Sequence, residues 1–501
     1  MQKQPILLGA HKFLLCMALI AGMVLSVFGC ARSPASDNPA ATETPQNIST
    51  NETSGNETAE PEASEGVEEL EEPEEPPIDL GGYEFVFTSL WGMDNEFFNP
   101  QLGDSPGADA RYEYLQQVQN EYNFTVSMNH VSLDNFVPEI IANTMAGLKV
   151  ADYIITDYAR LLHLYSAGVL MEINETTAPN INLLDTEKWS PAVTEASTLR
   201  GRVYGFEKGE MGSGAICFFN ATLLEERGAT NPYDLWRDDN WTWEEFAKLL
   251  DFMTINESGG QTPDIYGLGV QNWGTYYFET AFIYTNGGAI IKKEGNDLRF
   301  ALLDNDAQDA LHFVKSIYDN RWILPALPRD IGNVHELLPK RRVAFFFDGW
   351  GVVSRFEDME DDFGVLPLPK GPLADGYVTL NSGMAVSLVP ITMRESDYFA
   401  SSFIYNIVTE PLPPTGDIYL DDPNYILRNE WLRDDTAVEV VNYLMNNQKA
   451  NIMNGFFDLQ NIVLTAITEA TSWGSATPRA AMEAIAEQSQ ALIDDFFSFG
   501  D

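Results

Sequence analysis

Seven side chains, predicted to lie near strand ends and in the loops between helices, have the chemistry that binds a sugar. A sugar ring has an apolar face and a polar rim, so an aromatic ring beneath the face and carboxylates or amides at the rim contact both. The four loop tryptophans and their nearest hydrogen-bonding candidates are Trp91, Trp273, Trp350, Trp473, Asp157, Asp348 and Asn381. A structural role is the alternative for each, because tryptophan also packs in cores and aspartate also suits helix caps and turns.

Other kinds of site have little support in the sequence. The five histidines are scattered, with no pair at the spacing of a metal site. The segment Asp304-Asn305-Asp306 begins like a calcium loop, but the central glycine is missing and Lys315 stands where that loop needs a glutamate, so a helix cap is the better interpretation. Neither a phosphate-binding glycine loop nor a Gly-x-Ser-x-Gly turn occurs. We therefore expect no metal, no cofactor and no enzymatic activity.

Length, charge and cysteine content limit the class of protein. The 501 residues exceed one ordinary core, so two lobes are expected. The formal net charge of -46 repels the phosphate backbone, which excludes nucleic acid as a partner. Of the three cysteines, Cys217 stands alone in an apolar run and is predicted to be a small buried hydrophobe rather than half of a disulfide.

Residues 1–30 have the pattern of a secretory signal, in which basic residues precede an apolar stretch. The tetrapeptide that ends at Cys30 resembles a bacterial lipobox, which implies that Cys30 is lipidated and anchors the chain to the outer face of the cytoplasmic membrane. Phe28 replaces the small residue usual in a lipobox, and an ordinary signal peptide is the alternative. Residues 31–82 are acidic and nearly free of apolar side chains, which predicts a disordered tether.

The folded part begins with three predicted strands, at 83–89, 124–128 and 153–156, separated by amphipathic helices. Apolar strands that alternate with helices indicate a parallel sheet covered by helices. Ligands of such sheets lie beyond the carboxyl ends of the strands, so Trp91 and Asp157 are expected at ligand positions.

The clearest local signals lie between residues 201 and 253. They predict a buried strand at 215–219, a helix cap at Asn220 and a loop at Asn231-Pro232. They also predict a capping box formed by Thr242 with Glu245 and a hydrophobic staple formed by Trp241 with Phe246.

The order and spacing of these signals resemble one family, the extracellular solute-binding proteins of ABC importers, in the maltose-binding-protein-like group. The matching pieces are the family's G-x-x-Y-G segment, its strand ending in an aromatic residue and Asn, its T-W-E-E-F helix start, its first-lobe strand motif and its f-G-v-x-p-l-P segment. In this chain they are 201–205, 217–220, 242–246, 151–155 and 363–369, with Ala151 in place of the usual Pro. The resemblance covers residues 83–501.

This resemblance implies an α/β fold of the type II periplasmic-binding-protein kind. Two lobes, each a mainly parallel sheet flanked by helices, would be joined by hinge strands. The amino-terminal lobe would comprise residues 83–200 and 340–372, with the helices of 470–501 packed on it. The carboxy-terminal lobe would comprise residues 201–339 and 373–469.

The resemblance also implies where the hinge and the ligand lie. Crossings between the lobes are expected near 195–205, 339–343 and 371–378, and the lobes would close around a ligand by bending there. The family's stacking aromatic matches Trp350, and its second-lobe aromatic falls between Trp273 and Tyr277.

The resulting hypothesis is a lipid-anchored, monomeric protein that captures a carbohydrate, in particular an oligosaccharide, and delivers it to the permease of an ABC importer. One alternative is the same fold acting as a sensor subunit for a membrane receptor. Another is a non-sugar solute, such as a peptide or polyamine, which the acidic charge would favour. A surface carbohydrate-active enzyme is the third.

Overall fold

The computed structural model describes residues 77–91, 95–209, 214–271, 275–473 and 476–497, without the side chains at 275–277, 473 and 497. The predicted signal, Cys30 and most of the predicted tether lie outside the described residues. So do Trp273 and the side chain of Trp473.

Strands and helices alternate along most of the described chain. The strands are β1 (Tyr83–Ser89), β2 (Phe124–Met128), β3 (Tyr153–Asp157), β4 (Thr198–Leu199), β5 (Arg202–Val203), β6 (Ala215–Asn220), β7 (Tyr266–Val270), β8 (Ile291–Glu294), β9 (Asp297–Phe300), β10 (Val343–Gly349), β11 (Phe363–Leu366), β12 (Thr379–Asn381), β13 (Ala385–Leu388) and β14 (Gln448–Ala450). The helices are α1 (Pro106–Tyr122), α2 (Phe136–Met145), α3 (Tyr158–Ser166), α4 (Pro191–Ala196), α5 (Ala221–Arg227), α6 (Pro232–Arg237), α7 (Trp243–Met253), α8 (Thr275–Tyr284), α9 (Asn305–Asp319), α10 (Tyr398–Val408), α11 (Ile418–Asp421), α12 (Asp435–Asn446), α13 (Phe457–Thr468) and α14 (Pro478–Phe497).

The first sheet has the strand order β13-β3-β1-β2. Its strands β1, β2 and β3 are parallel, and β13 pairs with β3 in the antiparallel sense. Phe85, Phe87 and Tyr153 are fully or almost fully buried. The predicted strand–helix–strand arrangement of residues 83–157 is therefore confirmed.

The second sheet has the order β11-β6-β10-β7, in which β10 and β7 are parallel and β6 is antiparallel to both of its neighbours. Every residue of β6 is buried, and Cys217 in its middle is a free, buried thiol, as predicted. The predicted α/β fold with two mainly parallel sheets flanked by helices is confirmed, with one antiparallel strand in each sheet.

That antiparallel strand is, in each sheet, the one that has just crossed from the other sheet. The strand β6 begins at Ala215, opposite Gly349 at the end of β10. On the return, β13 begins at Ala385, opposite Asp157 at the end of β3. A chain that enters a sheet at the carboxyl edge of its parallel strands must run away from that edge. The carboxyl edges of both sheets therefore lie at the crossings, which is where α/β sheets bind ligands.

The predicted division of the chain between the lobes is wrong for two segments. Residues 340–372 belong with the second sheet, because β10 and β11 pair there with β6 and β7. Within 373–469, β13 returns to the first sheet by pairing with β3. A strand has the same local sequence signature in either sheet, since its pairing partners lie far away in the sequence, so the motifs locate strands without assigning them to a lobe.

The last helix also packs differently from the prediction, which placed it on the first lobe. Gln490 of α14 donates a hydrogen bond to the Leu298 carbonyl and accepts one from the Phe300 N–H, at 3.1 and 2.9 Å. These contacts join α14 to the β8–β9 hairpin, although Phe496 near its end lies 5.7 Å from the His163 ring of α3.

Two crossings between the sheets run side by side. Isolated bridges join Phe206 to Ser387 and Gly214 to Asn381, so both crossings lie a few residues beyond the predicted positions at 195–205 and 371–378. The predicted crossing at 339–343 is wrong, because this segment stays in the second lobe, where the Arg342 carbonyl accepts from the β7 backbone.

Local signals between residues 201 and 253 are largely confirmed. The Asn220 side chain accepts from the Leu223 N–H at 2.8 Å and caps α5. The rings of the predicted staple, Trp241 and Phe246, lie 5.4 Å apart.

Two details differ. Thr242 accepts from the Glu245 N–H, but the Glu245 carboxylate pairs with Lys248 at 2.7 Å, so the capping box is formed on one side. The predicted loop at Asn231-Pro232 is the start of α6, because proline at the first helical position and a capping asparagine favour a helix there.

We predict that Trp241→Ala lowers the free energy of unfolding by about 3–5 kcal/mol, as for other large buried aromatics. Trp241 is 0% exposed, and its indole N–H donates to the Pro367 carbonyl at 2.8 Å. Denaturant unfolding measures the loss, with the half-buried Trp236→Ala as control. Equal losses in the two variants would contradict the prediction.

Candidate functional site

The described candidate residues lie at the carboxyl edges of the two sheets and at the crossing between them. Trp91 and Asp157 follow or end β1 and β3 in the first sheet, and Asp348 and Trp350 lie at the end of β10 in the second. Asn381 lies at the crossing between them. The described candidates therefore lie at the two sheet edges that meet at the hinge and at the crossing itself, as the position of the strand ends predicts.

Trp91 is the most accessible of these side chains. It is 37% exposed, and its backbone N–H donates to Ser89 Oγ at 3.3 Å. A partly exposed indole ring at a sheet edge can stack on a sugar ring.

Asp157 also has the structural role given as its alternative. Its carboxylate accepts from the Arg160 N–H at 3.0 Å, which caps α3, and forms an ion pair with the Arg160 guanidinium. Ligand contact by Asp157 stays a prediction, since the side chain is buried only in part.

Asp348 is held by a histidine that sequence reasoning did not connect to it. Its Oδ2 lies 3.2 Å from His335 Nε2, and its Oδ1 accepts from the Gly349 N–H at 2.7 Å. The pair fixes the carboxylate beside the end of β10. His335 and Asp348 are thirteen positions apart in the sequence, but no local pattern predicts that their side chains are in contact.

Trp350 forms an aromatic pair with Trp431, which was not among the predicted ligand residues. The ring centroids lie 6.1 Å apart with the planes inclined by 60°, and both side chains are half-buried. The Trp350 N–H donates to the Gly214 carbonyl at 2.9 Å, which ties the pair to the first crossing. Trp431 belongs to a turn, Leu427–Trp431, that is 81 residues from Trp350, so local pattern could not reveal the contact.

Asn381 is engaged in the hinge. It is 2% exposed, its Nδ2 donates to Gln448 Oε1 at 2.6 Å, and its Oδ1 accepts from the Gly383 N–H at 3.1 Å. A ligand that contacted this amide would have to replace those bonds. These contacts support a structural role in joining the second crossing to β14.

A cavity of about 710 Å³ opens at the carboxyl end of β7. Val270 lies at that strand end, and the segment 323–327 and helix α13 also line the cavity. Val334 and Leu337 also line it, and His335 lies between them in the sequence, although neither His335 nor Asp348 is among the described lining residues.

A buried acid, Glu279 of α8, faces this cavity and was missed in the sequence. It is 1% exposed. Its Oε1 accepts from the Tyr318 and Thr471 hydroxyls at 3.2 and 3.0 Å, and its Oε2 from the Thr468 hydroxyl at 3.5 Å. Burial raises the pKa of Glu279 to about 7, although these hydroxyl donors act to lower it. The available signal was a single carboxylate within an otherwise apolar and aromatic helix.

Two further features of the described residues bear on other kinds of function. Among them, no cluster of three or more His, Cys, Asp or Glu side chains is arranged to hold a metal ion. No helix in the described ranges is long and apolar enough to cross a membrane.

We predict that Glu279→Gln flattens the pH dependence of stability. Because the folded pKa near 7 is above the ordinary value of 4.5, the wild-type contribution is fully present below pH 4.5 and lost as pH rises through 7. The loss amounts to about 3 kcal/mol by pH 8. Denaturant unfolding at pH 5 and pH 8 measures it, with the exposed Glu257→Gln as the matched control. Parallel pH profiles for wild type and Glu279→Gln would contradict this assignment.

Solved structures share the fold at low sequence identity. The sugar-binding protein MalE from Xanthomonas citri is 14% identical with a TM-score of 0.59, covering 82% of this chain and 98% of MalE. The cyclic alpha-maltosyl-1,6-maltose binding protein from Arthrobacter globiformis is 16% identical with a TM-score of 0.60, covering 83% of this chain and 100% of that one. UgpB from Mycobacterium tuberculosis, solved with glycerophosphocholine, is 16% identical with a TM-score of 0.54, covering 83% and 100%.

The search of curated proteins returned no match. The family model described as bacterial extracellular solute-binding protein matches residues 105–388, more than half of the chain. That span contains both crossings, every strand of the second sheet and every strand of the first sheet except β1. The chain belongs to the bacterial extracellular solute-binding protein family, and it is a solute-binding protein of the ABC-transporter type rather than an enzyme.

Proposed function

We propose that this protein captures an oligosaccharide between the carboxyl edges of its two sheets and delivers it to the permease of an ABC importer. In the same proposal it acts as a monomer, held at the outer face of the cytoplasmic membrane by a lipid on Cys30 and an acidic tether. The observation that carries the sugar assignment is the half-buried Trp350–Trp431 pair at the hinge-side end of β10.

An inclined pair of indole rings is better suited to binding a sugar than to binding a flat apolar molecule. One ring can lie under the apolar face of a pyranose while the other closes one side of it. Asp348, held by His335 and two positions before Trp350, would supply a carboxylate for the hydroxyl rim. Trp91 on the opposite sheet edge supplies a second open ring, so the binding residues proposed here come from both lobes.

Capture would use the hinge. The two crossings are bridged at Phe206–Ser387 and at Gly214–Asn381, so a change of backbone angles in a few residues can rotate one sheet toward the other. A solute that contacts both edges stabilises the closed arrangement by its added contacts, which is how a binding event becomes a change of shape that a permease can recognise.

The names of the structural neighbours agree with the proposal. MalE is described as sugar-binding, and the Arthrobacter globiformis protein binds a cyclic maltosyl-maltose. UgpB was solved with glycerophosphocholine, so the same fold also accepts a different solute. The sugar assignment for this chain therefore rests on its own aromatic pair.

We predict that Trp350→Ala weakens binding of a responding oligosaccharide at least tenfold. One removed stacking ring costs about 1.4 kcal/mol or more, since aromatic contacts add to the buried apolar area. Titration calorimetry of the purified protein with a panel of neutral mono- and oligosaccharides measures the change. The control is Trp236→Ala, which removes an indole that packs on Tyr443.

Unchanged affinity in Trp350→Ala, with the protein shown to be folded, would contradict the placement of the site. A wild-type protein that binds no sugar of the panel but binds another class of solute would contradict the sugar assignment itself.

A further inference from the structure

Among the described residues that line it, the cavity at the end of β7 has acidic side chains and no cationic one. Its described lining includes two acids, Glu279 and Glu469, and no Lys, Arg or His. The groups hydrogen-bonded to Glu279 are the neutral hydroxyls of Tyr318, Thr468 and Thr471. Burial of a carboxylate without a paired charge is costly.

The hydroxyls also leave that carboxylate short of donors. An ionised carboxylate accepts at about four positions. Thr471 has one hydroxyl proton, and the Ile467 carbonyl at 2.9 Å competes with Glu279 for it. The Thr468 hydroxyl is 3.5 Å away, at the limit of a hydrogen bond. Tyr318 is thus left as the one unshared close donor among the described contacts of Glu279.

The remaining walls define what kind of molecule fits. Ile323, Leu324 and Pro325 contribute apolar surface, and Gln460 and Asn461 of α13 add amide groups. The volume of about 710 Å³ is within the range of small-molecule sites. A protonated amine carries one positive charge and up to three N–H donors, the two things that ionised Glu279 lacks.

We propose that this cavity binds the protonated amine of a cationic solute, with Glu279 as the counter-ion. The inference rests on the proposed function and narrows its ligand class from sugars in general to amino sugars. The amine occupies the cavity at the end of β7 while the sugar ring lies toward Trp350 at the end of the neighbouring strand, β10.

Binding of the amine depends on the ionisation of this acid. The titratable groups that line the cavity with Glu279, among the described residues, are Tyr318 from α9 and Glu469 from the turn Glu469–Trp473. Burial and the neighbouring carboxylate raise the pKa of Tyr318, so it stays a neutral donor. Since the pKa of Glu279 is raised to about 7, the acid is half-ionised at neutral pH and largely protonated at pH 5.5.

The test is titration calorimetry of the full protein with glucosamine oligosaccharides and, as neutral counterparts, the same oligosaccharides N-acetylated. At pH 7 the amine form is expected to bind at least tenfold more tightly than the acetylated form. Glu279→Gln should abolish this preference, whereas the matched Glu257→Gln, an exposed loop residue paired with Arg227, should keep it. The wild-type preference should also fall roughly tenfold from pH 7 to pH 5.5, which tests the proposal without any substitution.

Each outcome decides between the two proposals. The amine site would be overturned, and sugar capture left intact, if the acetylated and amine forms bound equally. The same holds if the preference for the amine form survived in Glu279→Gln or at pH 5.5. Loss of binding by both forms in a folded Glu279→Gln, but not in Glu257→Gln, would also overturn it, because Glu279 would then support the site generally. If the wild-type protein bound neither form but bound a non-sugar cation such as spermidine, the amine site would be supported and the sugar assignment would be overturned.

Discussion

The rest of the structure depends on the point at which the chain enters each sheet. Both crossing strands start at the carboxyl edge of the parallel strands, so each must run antiparallel to them, as β6 does beside β10 and β13 beside β3. This geometry fixes both carboxyl edges against the hinge. It also explains why candidate residues from widely separated parts of the chain meet there, since every parallel strand delivers its last side chain to the same edge.

Around this edge, buried hydrogen bonds set the positions of side chains that a solute would meet. His335 orients Asp348, and the backbone of Trp350 bonds to the first crossing at Gly214. Asn381 and Gln448 join the second crossing to β14. Trp350 and Asn381 belong both to the hinge contacts and to the proposed site, so a change in hinge angle is expected to move side chains of that proposed site. Binding and closure are therefore expected to be coupled through these bonds.

Local signals in the sequence were sufficient for most strands, for the caps at Asn220 and Asp157 and for the existence of two lobes. They located the strand ends, and hence Trp91, Asp348 and Trp350, because a strand end is a local feature. They failed where the answer depended on distant pairing: the sheet that β10 joins, the ring partner Trp431 and the cavity acid Glu279. A single glutamate in an apolar helix is compatible with either a surface or a cavity, and only the packing of α8 against α9 and α13 decides between them.

Small-angle X-ray scattering of the purified protein, titrated with an oligosaccharide panel, tests the central claim most directly. If the two carboxyl edges close over a sugar, the radius of gyration falls saturably with a binding oligosaccharide, and the fall follows the calorimetric affinity. If a sugar binds at full stoichiometry while the radius of gyration stays constant, the site does not lie between the two edges, and the account is contradicted.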